Sequence, residues 1–153
     1  MPFCDFFQPA SVEEAIKLHQ TENGVYVAGG TDVLVDCRTK KHFDGKSVID
    51  LTALPGLSDI TEEENTVAIG ALCTHAQIAA SALVRTYAPN LAKACGVVGS
   101  PQIRHRGTIG GNLGNASPAA DSFGPLALYG AEILLQGADG LRSVPVGELV
   151  TGP

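Results

Sequence analysis

The fold of this 153-residue chain is decided by the segment Arg104–Pro118, which reads RHRGTIGGNLGNASP. At its centre a Gly-Gly pair stands between the hydroxyl of Thr108 and the amide of Asn112. Thr108 can donate a hydrogen bond to a phosphate, and Asn112 can both donate and accept. Asp121 follows nine residues after Asn112, where a carboxylate can accept from a ribose hydroxyl. We therefore expect one wall of a nucleotide site here.

An alternative interpretation of the same segment is structural. Asn112 and Asn115 tolerate the left-handed conformation, so the segment could be a cluster of glycine-rich turns without a ligand. Residues 96–125 as a whole hold seven glycines and three prolines, yet they stay apolar. Because a flexible linker would be more polar, we expect ordered loop structure there.

A second Gly-Gly pair occurs earlier, in Ala28-Gly29-Gly30-Thr31-Asp32. It follows a predicted strand and precedes a predicted helix, so free N–H groups and glycine backbone could approach a pyrophosphate. The alternative is a strand-to-helix turn that uses glycine only for tightness. The pattern is neither the dinucleotide fingerprint G-x-G-x-x-G nor a Walker A loop. Two such loops in one small domain strengthen the case for a ligand, because two backbone cradles with free N–H groups could hold both ends of one diphosphate.

The rest of the pattern predicts a mixed chain, in which early strands are parallel through crossovers and later ones antiparallel. Ser11 is predicted to cap the first helix through a capping box. The helices are predicted over 12–21, 33–37, 75–83, 89–96 and 126–131, and the extended segments over 25–28, 47–51, 57–60, 66–72, 132–136 and 141–146. The acidic residues 61–65 are predicted to form a turn.

Composition excludes several classes of protein. Apolar residues make up 44% and charged residues 17%, which is typical of a folded globular domain. The net charge of −6 disfavours nucleic acid or an anionic membrane as partner. No apolar run reaches the ~18 residues of a membrane span, and no signal peptide is evident, so we expect a cytoplasmic protein. The four cysteines, Cys4, Cys37, Cys73 and Cys95, have no local ligand spacing and are expected to be buried thiols, with metal or cluster binding left open.

The motifs together resemble a known family. The segments are Ala28–Asp32, Ile69–Ala71 leading to Thr74-His75, Gln102–Arg104, Thr108–Asn112, and Ala116–Pro118 with Asp121. In this order and spacing the chain resembles the FAD-binding subunit of the molybdenum hydroxylases. That family includes xanthine dehydrogenase, nicotinate dehydrogenase, the medium subunit of carbon monoxide dehydrogenase and 4-hydroxybenzoyl-CoA reductase. The resemblance covers essentially the whole chain.

The resemblance implies an α+β, two-lobed FAD-binding fold of the vanillyl-alcohol oxidase and MurB (PCMH) type. Residues 1–55 would form a parallel α/β lobe, and residues 56–153 a second, mixed and antiparallel lobe. Members of the family continue further, so the second lobe is expected to be incomplete and the C-terminal domain absent. The missing part would be supplied by another chain or by continuing polypeptide.

The resemblance also implies the cofactor contacts. Val27–Val33 would wrap the FAD diphosphate, the second loop would hold it from the other side, and Asp121 would lie near the diphosphate or ribityl chain. The FAD-binding residues expected are Val27, Ala28, Gly29, Gly30, Thr31, Asp32, Val33, Val98, Gly99, Thr108, Gly110, Gly111, Asn112, Gly114 and Asp121. No residue is expected to be catalytic or to bind metal. His75 is expected to serve as a helix start, Arg104 and Arg106 to be solvated or paired, and Tyr26 and Tyr129 to be core residues. His105 departs from the Asn that is more usual in the family.

The function implied is that of a flavoprotein electron-transfer subunit. Electrons would pass from [2Fe-2S] clusters on one partner subunit through FAD to NAD⁺ or another acceptor, and a molybdopterin-binding partner subunit would act on the substrate. Two alternatives stay open. One is a non-catalytic structural or assembly remnant of the fold without FAD, and the other is a stand-alone MurB-like reductase.

Overall fold

A computed structural model describes residues 3–38, 43–117 and 119–149. The N-terminal part is a three-stranded parallel sheet of order β1-β3-β2. Its strands are β1 (Phe3–Phe7), β2 (Gly24–Val27) and β3 (Lys46–Asp50), and its helices are α1 (Val12–Thr21) and α2 (Val33–Asp36). Val25 and Tyr26 of β2 pair with Val48 and Ile49 of β3. The predicted parallel pairing of the early strands is confirmed.

Helix α1 forms where its cap and its apolar spacing predict it. The Ser11 hydroxyl accepts a hydrogen bond from the Glu14 N–H at 3.2 Å. The Glu14 carboxylate reaches back to the N–H of Ala10 at 2.8 Å, one residue earlier than a regular capping box would place it. Ala15 is buried under the helix.

In the described residues after β3, two antiparallel hairpins are combined with six short helices. The first hairpin is β4 (Ile60–Glu63) with β5 (Thr66–Ile69), and the second is β6 (Glu132–Gly137) with β7 (Gly140–Pro145). Between them lie α3 (His75–Ala80), α4 (Ala82–Tyr87), α5 (Pro89–Cys95), α6 (Pro101–Arg106), α7 (Ile109–Asn115) and α8 (Phe123–Leu128), and a 3₁₀ turn at Val146–Glu148 follows β7. The α+β class and the antiparallel later strands are confirmed.

The main core lies in this second part. Ile78, Val84 and Leu91 from three successive helices are almost wholly buried together with the thiols of Cys73 and Cys95. Burial raises the pKa of Cys95 to about 12, so this thiol stays protonated and inert. All four cysteines are free, but Cys4 is exposed and Cys37 half-buried, so the expectation of burial is wrong for these two.

Three local predictions are wrong. Residues 96–125 are largely helical rather than loop: Ser100 caps α6 with Pro101 in its first turn, and Thr108 caps α7. The acidic segment 61–65 is mostly strand β4, since Glu62 pairs with Val67 across the hairpin. The helix over 75–83 is broken at Ser81, whose extended backbone ends α3 while its hydroxyl caps α4.

The left-handed alternative for the second loop is also wrong. The left-handed residue that ends α7 is Ala116, with φ +50°, and not Asn112 or Asn115.

The lobe boundary at residues 55 and 56 stays a prediction. Within the described part of the chain, no helix is long and apolar enough to cross a membrane.

The two glycine loops pack against each other backbone to backbone. A Cβ on Gly29 would lie 1.9 Å from the carbonyl oxygen of Arg106 and 3.0 Å from the Cα of Gly107. A Cβ on Gly107 would in turn lie 3.2 Å from the Ile103 carbonyl and 3.5 Å from the Thr31 hydroxyl. No side chain fits between Gly29 and the Arg106 carbonyl, so the approach of the loops requires glycine at position 29.

We predict that Gly29→Ala destabilises the fold, because the methyl group must push the Arg106 backbone away. Overpacking of this kind costs about 1–3 kcal/mol or more. Gly124→Ala is the matched control: it is exposed on helix α8, with no described atom within 4 Å of the place its methyl group would take, and should be neutral or stabilise by about 0.5–1 kcal/mol. Urea unfolding measures both. Equal stability of the two variants would contradict the packing account.

Candidate functional site

A cavity of about 620 Å³ lies between the two glycine loops. Its size falls in the range of small-molecule and cofactor sites. Twelve of the fifteen residues predicted from the sequence line it, namely Ala28, Gly29, Gly30, Thr31, Asp32, Val33, Val98, Thr108, Gly110, Gly111, Asn112 and Gly114. The structure therefore brings both loops to one site. Their role as FAD contacts stays a prediction.

Val27, Gly99 and Asp121 are not among the lining residues. Val27 ends β2, and its carbonyl accepts from the N–H of Leu51 at 2.9 Å. Gly99 has φ +46° and its carbonyl accepts from the Arg104 guanidinium at 3.0 Å, as does that of Val98 at 3.1 Å. Arg104 is thus a structural clamp on the turn beside the cavity.

The first loop presents unused backbone donors. Gly30 has φ +72°, which glycine adopts without strain, and its carbonyl accepts from the N–H of Leu34 at 3.0 Å. Within the described residues, the N–H groups of Gly30, Thr31 and Asp32 donate to no other group of the chain. Consecutive free N–H groups on a curved backbone form a concavity that suits an anion. Helix α2 has only four residues, so its dipole adds little.

The second loop differs, because its backbone donors are already used. The N–H of Ile109 donates to the carbonyl of Cys73 at 2.9 Å, and that of Gly110 to the carbonyl of Ala71 at 2.8 Å. The N–H of Gly111 donates to the Thr108 hydroxyl at 3.1 Å, and that of Asn112 to the Thr108 carbonyl at 2.9 Å. The second loop therefore presents to a ligand its side chains and a surface that the ligand can approach closely, rather than a second set of free backbone N–H groups.

The glycines of the second loop have separate roles. A Cβ on Gly110 would lie 2.7 Å from the carbonyl oxygen of Ala71, so this glycine permits packing of α7 on the turn before α3. Gly111 is exposed toward the cavity, and a Cβ on it would meet a single described atom, the Thr108 hydroxyl oxygen at 2.9 Å. Gly111 is therefore the position where a ligand could touch the backbone closely.

A buried serine orients Asn112. The Ser122 hydroxyl, 1% exposed, donates to Oδ1 of Asn112 at 2.5 Å. In this arrangement the amide oxygen faces Ser122, and the NH₂ group is left as a donor for other partners. Ser122 is not among the predicted site residues, and nothing in its local sequence marks it, since the start of α8 brings it under Asn112 from ten residues away.

The described residues that line the cavity carry neutral donors and one carboxylate, that of Asp32, and no Lys or Arg lies among them. The apolar part of the wall includes Val25, Leu51 and Ile103. Such a wall suits the flat rings of a nucleotide, and the free N–H and hydroxyl groups suit its phosphates. Within the described residues, no group of three or more His, Cys, Asp or Glu could hold a metal ion.

Comparison with known proteins identifies the family of the chain. The sequence matches the FAD-binding domain of molybdopterin dehydrogenases over residues 2–153. The chain belongs to this family. It is 38% identical to the nicotinate dehydrogenase FAD-subunit of Eubacterium barkeri over 151 residues, covering 97% of this chain and 51% of that protein. It is 32% identical to the xanthine dehydrogenase FAD-binding subunit of Escherichia coli O157:H7, covering 99% of this chain and 52% of the relative.

Solved structures give the same result for the fold of this FAD-binding domain. The structure of carbon monoxide dehydrogenase from Hydrogenophaga pseudoflava superposes with a TM-score of 0.90 at 32% identity, covering 95% of this chain and 51% of the other. Quinoline 2-oxidoreductase from Pseudomonas putida 86 superposes with a TM-score of 0.87 at 28% identity, covering 95% of this chain and 52% of the other. The chain spans about half the length of the relatives it matches.

Several lining residues lie outside the predicted set. Tyr26 lines the cavity, is 38% exposed, and stacks on His19 with ring centres 4.7 Å apart. Tyr129 is 40% exposed and its hydroxyl accepts from the N–H of Asn90 at 3.2 Å. The expectation that both tyrosines are core residues is therefore wrong. His75 also lines the cavity and is 2% exposed.

His75 is the first residue of α3, as expected, and its N–H donates to the carbonyl of Gly107 at 3.1 Å. Burial lowers the pKa of its imidazole below the ordinary value of 6.5, and the nearby carboxylate of Asp121 acts in the opposite direction but does not outweigh burial. The side chain is therefore neutral near pH 7. Asp121 does not line the cavity but lies within electrostatic reach of His75.

We predict a pH-dependent stability from this side chain. Below pH 6.5 the unfolded chain binds more protons on His75 than the native state does, so the contribution to stability falls as the pH is lowered through 6.5 toward the native pKa. Compared with His75→Phe, the wild-type chain should lose unfolding free energy between about pH 7 and 5. Urea unfolding at each pH measures the difference. Parallel curves for the two proteins would contradict a neutral, buried His75.

Proposed function

We propose that this chain binds FAD in the cavity between its two glycine loops. The observation that carries the proposal is the set of unused N–H groups of Gly30, Thr31 and Asp32, which belong to residues lining a cavity whose opposite wall is Thr108, Gly111 and Asn112. The family of FAD-binding domains to which the chain belongs supports the same ligand.

The residues present fit this cofactor. The free N–H groups and the Thr31 hydroxyl would hold the diphosphate, since hydrogen bonds to a charged acceptor are about twice as strong as neutral ones. The open backbone face of Gly111 would allow close approach from the other side, with the Thr108 hydroxyl and the Asn112 amide as further donors. The apolar wall of Val25, Leu51 and Ile103 would exclude water from the rings.

For the whole protein we propose a flavoprotein oxidoreductase subunit that works within a complex. The partners would be a molybdopterin-binding subunit and a [2Fe-2S] subunit, and the electron acceptor of the complex would be NAD or another acceptor. Bound FAD supplies the redox chemistry, because its ring accepts and releases two electrons. The chain's own residues bind and orient it, and none is proposed to be catalytic. Because the chain spans about half of its relatives, the rest of the flavin's surroundings would come from other polypeptide.

The experiment is an NMR titration of the ¹⁵N-labelled chain with FAD, ADP and riboflavin. FAD and ADP should shift the amide signals of Gly30, Thr31 and Asp32, whereas riboflavin, which has no phosphate, should leave them in place. Affinity is expected to be modest in the isolated chain. Absence of any shift at millimolar FAD would overturn the proposal and favour a remnant of the fold that does not bind flavin.

We predict that Gly111→Val abolishes FAD binding, because a branched side chain would occupy the face open to the ligand. Asn112→Ala should weaken binding by roughly 1–3 kcal/mol, the cost of polar partners left unpaired. Gly124→Ala, remote from the cavity lining, is the control and should bind normally. The titration is repeated for each variant. Wild-type affinity in both Gly111→Val and Asn112→Ala would show that the ligand lies elsewhere.

A further inference from the structure

His75 has an unexplained polar atom. Its Nδ1 is completely buried and has no hydrogen-bond partner among the described residues. A buried polar atom without a partner destabilises the folded state, because its hydrogen bond to water is lost without replacement. The backbone role of His75, donation from its N–H to Gly107, does not need an imidazole, since any residue except proline could supply it. The choice of histidine at this place therefore needs another reason.

The orientation of the imidazole ring gives a reason for histidine at this position. Its Cδ2 atom lies 3.3 Å from the point that a Cβ on Gly107 would occupy, and the Thr31 hydroxyl lies 3.5 Å from the same point. Cδ2 and Nε2 are bonded neighbours on the ring edge away from Nδ1. Cδ2 thus lies at the junction where the first loop meets Gly107, beside the lining residue Thr31, which is predicted to hold phosphate, and Nε2 is the ring nitrogen bonded to this carbon.

The protonation pattern follows from the surroundings. A neutral imidazole carries one hydrogen, on Nδ1 or on Nε2. A buried N–H without an acceptor is rarer in proteins than an acceptor without a donor, so the hydrogen is favoured on Nε2. The charged group that acts on the ring is the carboxylate of Asp121, and burial outweighs it in keeping the ring neutral. In this tautomer the ring of His75, which lines the cavity, would present Nε2–H as a donor.

We propose that His75 is a ligand-contacting residue, whose Nε2–H donates a hydrogen bond to an oxygen of the FAD diphosphate held by the first loop. The inference rests on the proposed function, because it needs FAD in this cavity. It extends the set of donors from the two glycine loops to the start of α3. It also assigns the diphosphate, rather than the flavin ring, to the part of the cavity next to Thr31.

Three variants separate this role from a structural one. Glutamine places its amide nitrogen near the Nε2 position of histidine, asparagine places its amide near Nδ1, and phenylalanine keeps the shape without a donor. His75→Gln should bind FAD within about threefold of wild type, whereas His75→Asn and His75→Phe should lose roughly tenfold or more. At pH 7.5, His75→Phe should be as stable as wild type without ligand, or more so, because the orphaned Nδ1 is gone.

The tautomer gives a readout independent of affinity. In ¹H–¹⁵N spectra of the histidine rings, His75 should be the Nε2–H form in the free chain, and its Nε2 signal should shift with FAD and with ADP but not with riboflavin. The Gln and Asn variants form the decisive pair if Phe fails to fold, since both keep a polar side chain of similar size. Equal FAD affinity in both, an Nδ1–H tautomer, or no Nε2 shift in a wild-type chain that binds FAD would overturn this inference alone. A wild-type chain that binds no FAD would overturn both proposals.

Discussion

The close contact between Gly29 and the Arg106–Gly107 backbone holds the two parts of the chain in the arrangement that the site requires. A Cβ on Gly29 would lie 1.9 Å from a carbonyl oxygen, so even one methyl group would separate the loops. The N-terminal parallel sheet and the helical second part meet at this point. At this point two backbones, rather than two side-chain layers, form the contact beside the cavity.

Because the loops approach each other this closely, their glycines have different structural roles. Gly29 and Gly110 are needed for packing, Gly30 for a left-handed backbone, and Gly111 for the open face toward the cavity. The backbone donors are divided in the same way, since those of the first loop are unused and those of the second are bonded internally. One side of the cavity therefore presents free main-chain N–H groups, and the other presents hydroxyl and amide side chains.

Much of the architecture could be predicted from short signals. The Ser11 cap, the β6–β7 hairpin and the parallel early strands are all as predicted, because local chemistry and spacing determine them. The helices within residues 96–125 are not predicted, because the high glycine content of the segment argues against helix more strongly than the N-caps Ser100 and Thr108 argue for it. Tertiary contacts stabilise these helices in the folded chain. Strand β1 could not be predicted from its residues, since its pairing partner β3 is distant in sequence.

The sequence predicts the two loops of the site, but not the full group of residues that the fold brings together there. The order of the motifs along the chain identifies the two glycine segments. Ser122 and the ring of His75 reach the site only through tertiary packing, which no local sequence pattern indicates. The sequence pattern suggests that the second loop offers free backbone donors like the first. The carbonyls that occupy its N–H groups, those of Cys73 and Ala71, lie more than thirty residues earlier in the chain, so sequence reasoning could not identify them.

A crystal structure of the chain with FAD bound would show whether one ligand diphosphate lies between both glycine loops, as proposed. The account predicts diphosphate oxygens within hydrogen-bond distance of the backbone nitrogens of Thr31 and Asp32, with Gly111 in van der Waals contact on the other side. A diphosphate bound outside the cavity, or in contact with the second loop alone, would contradict it.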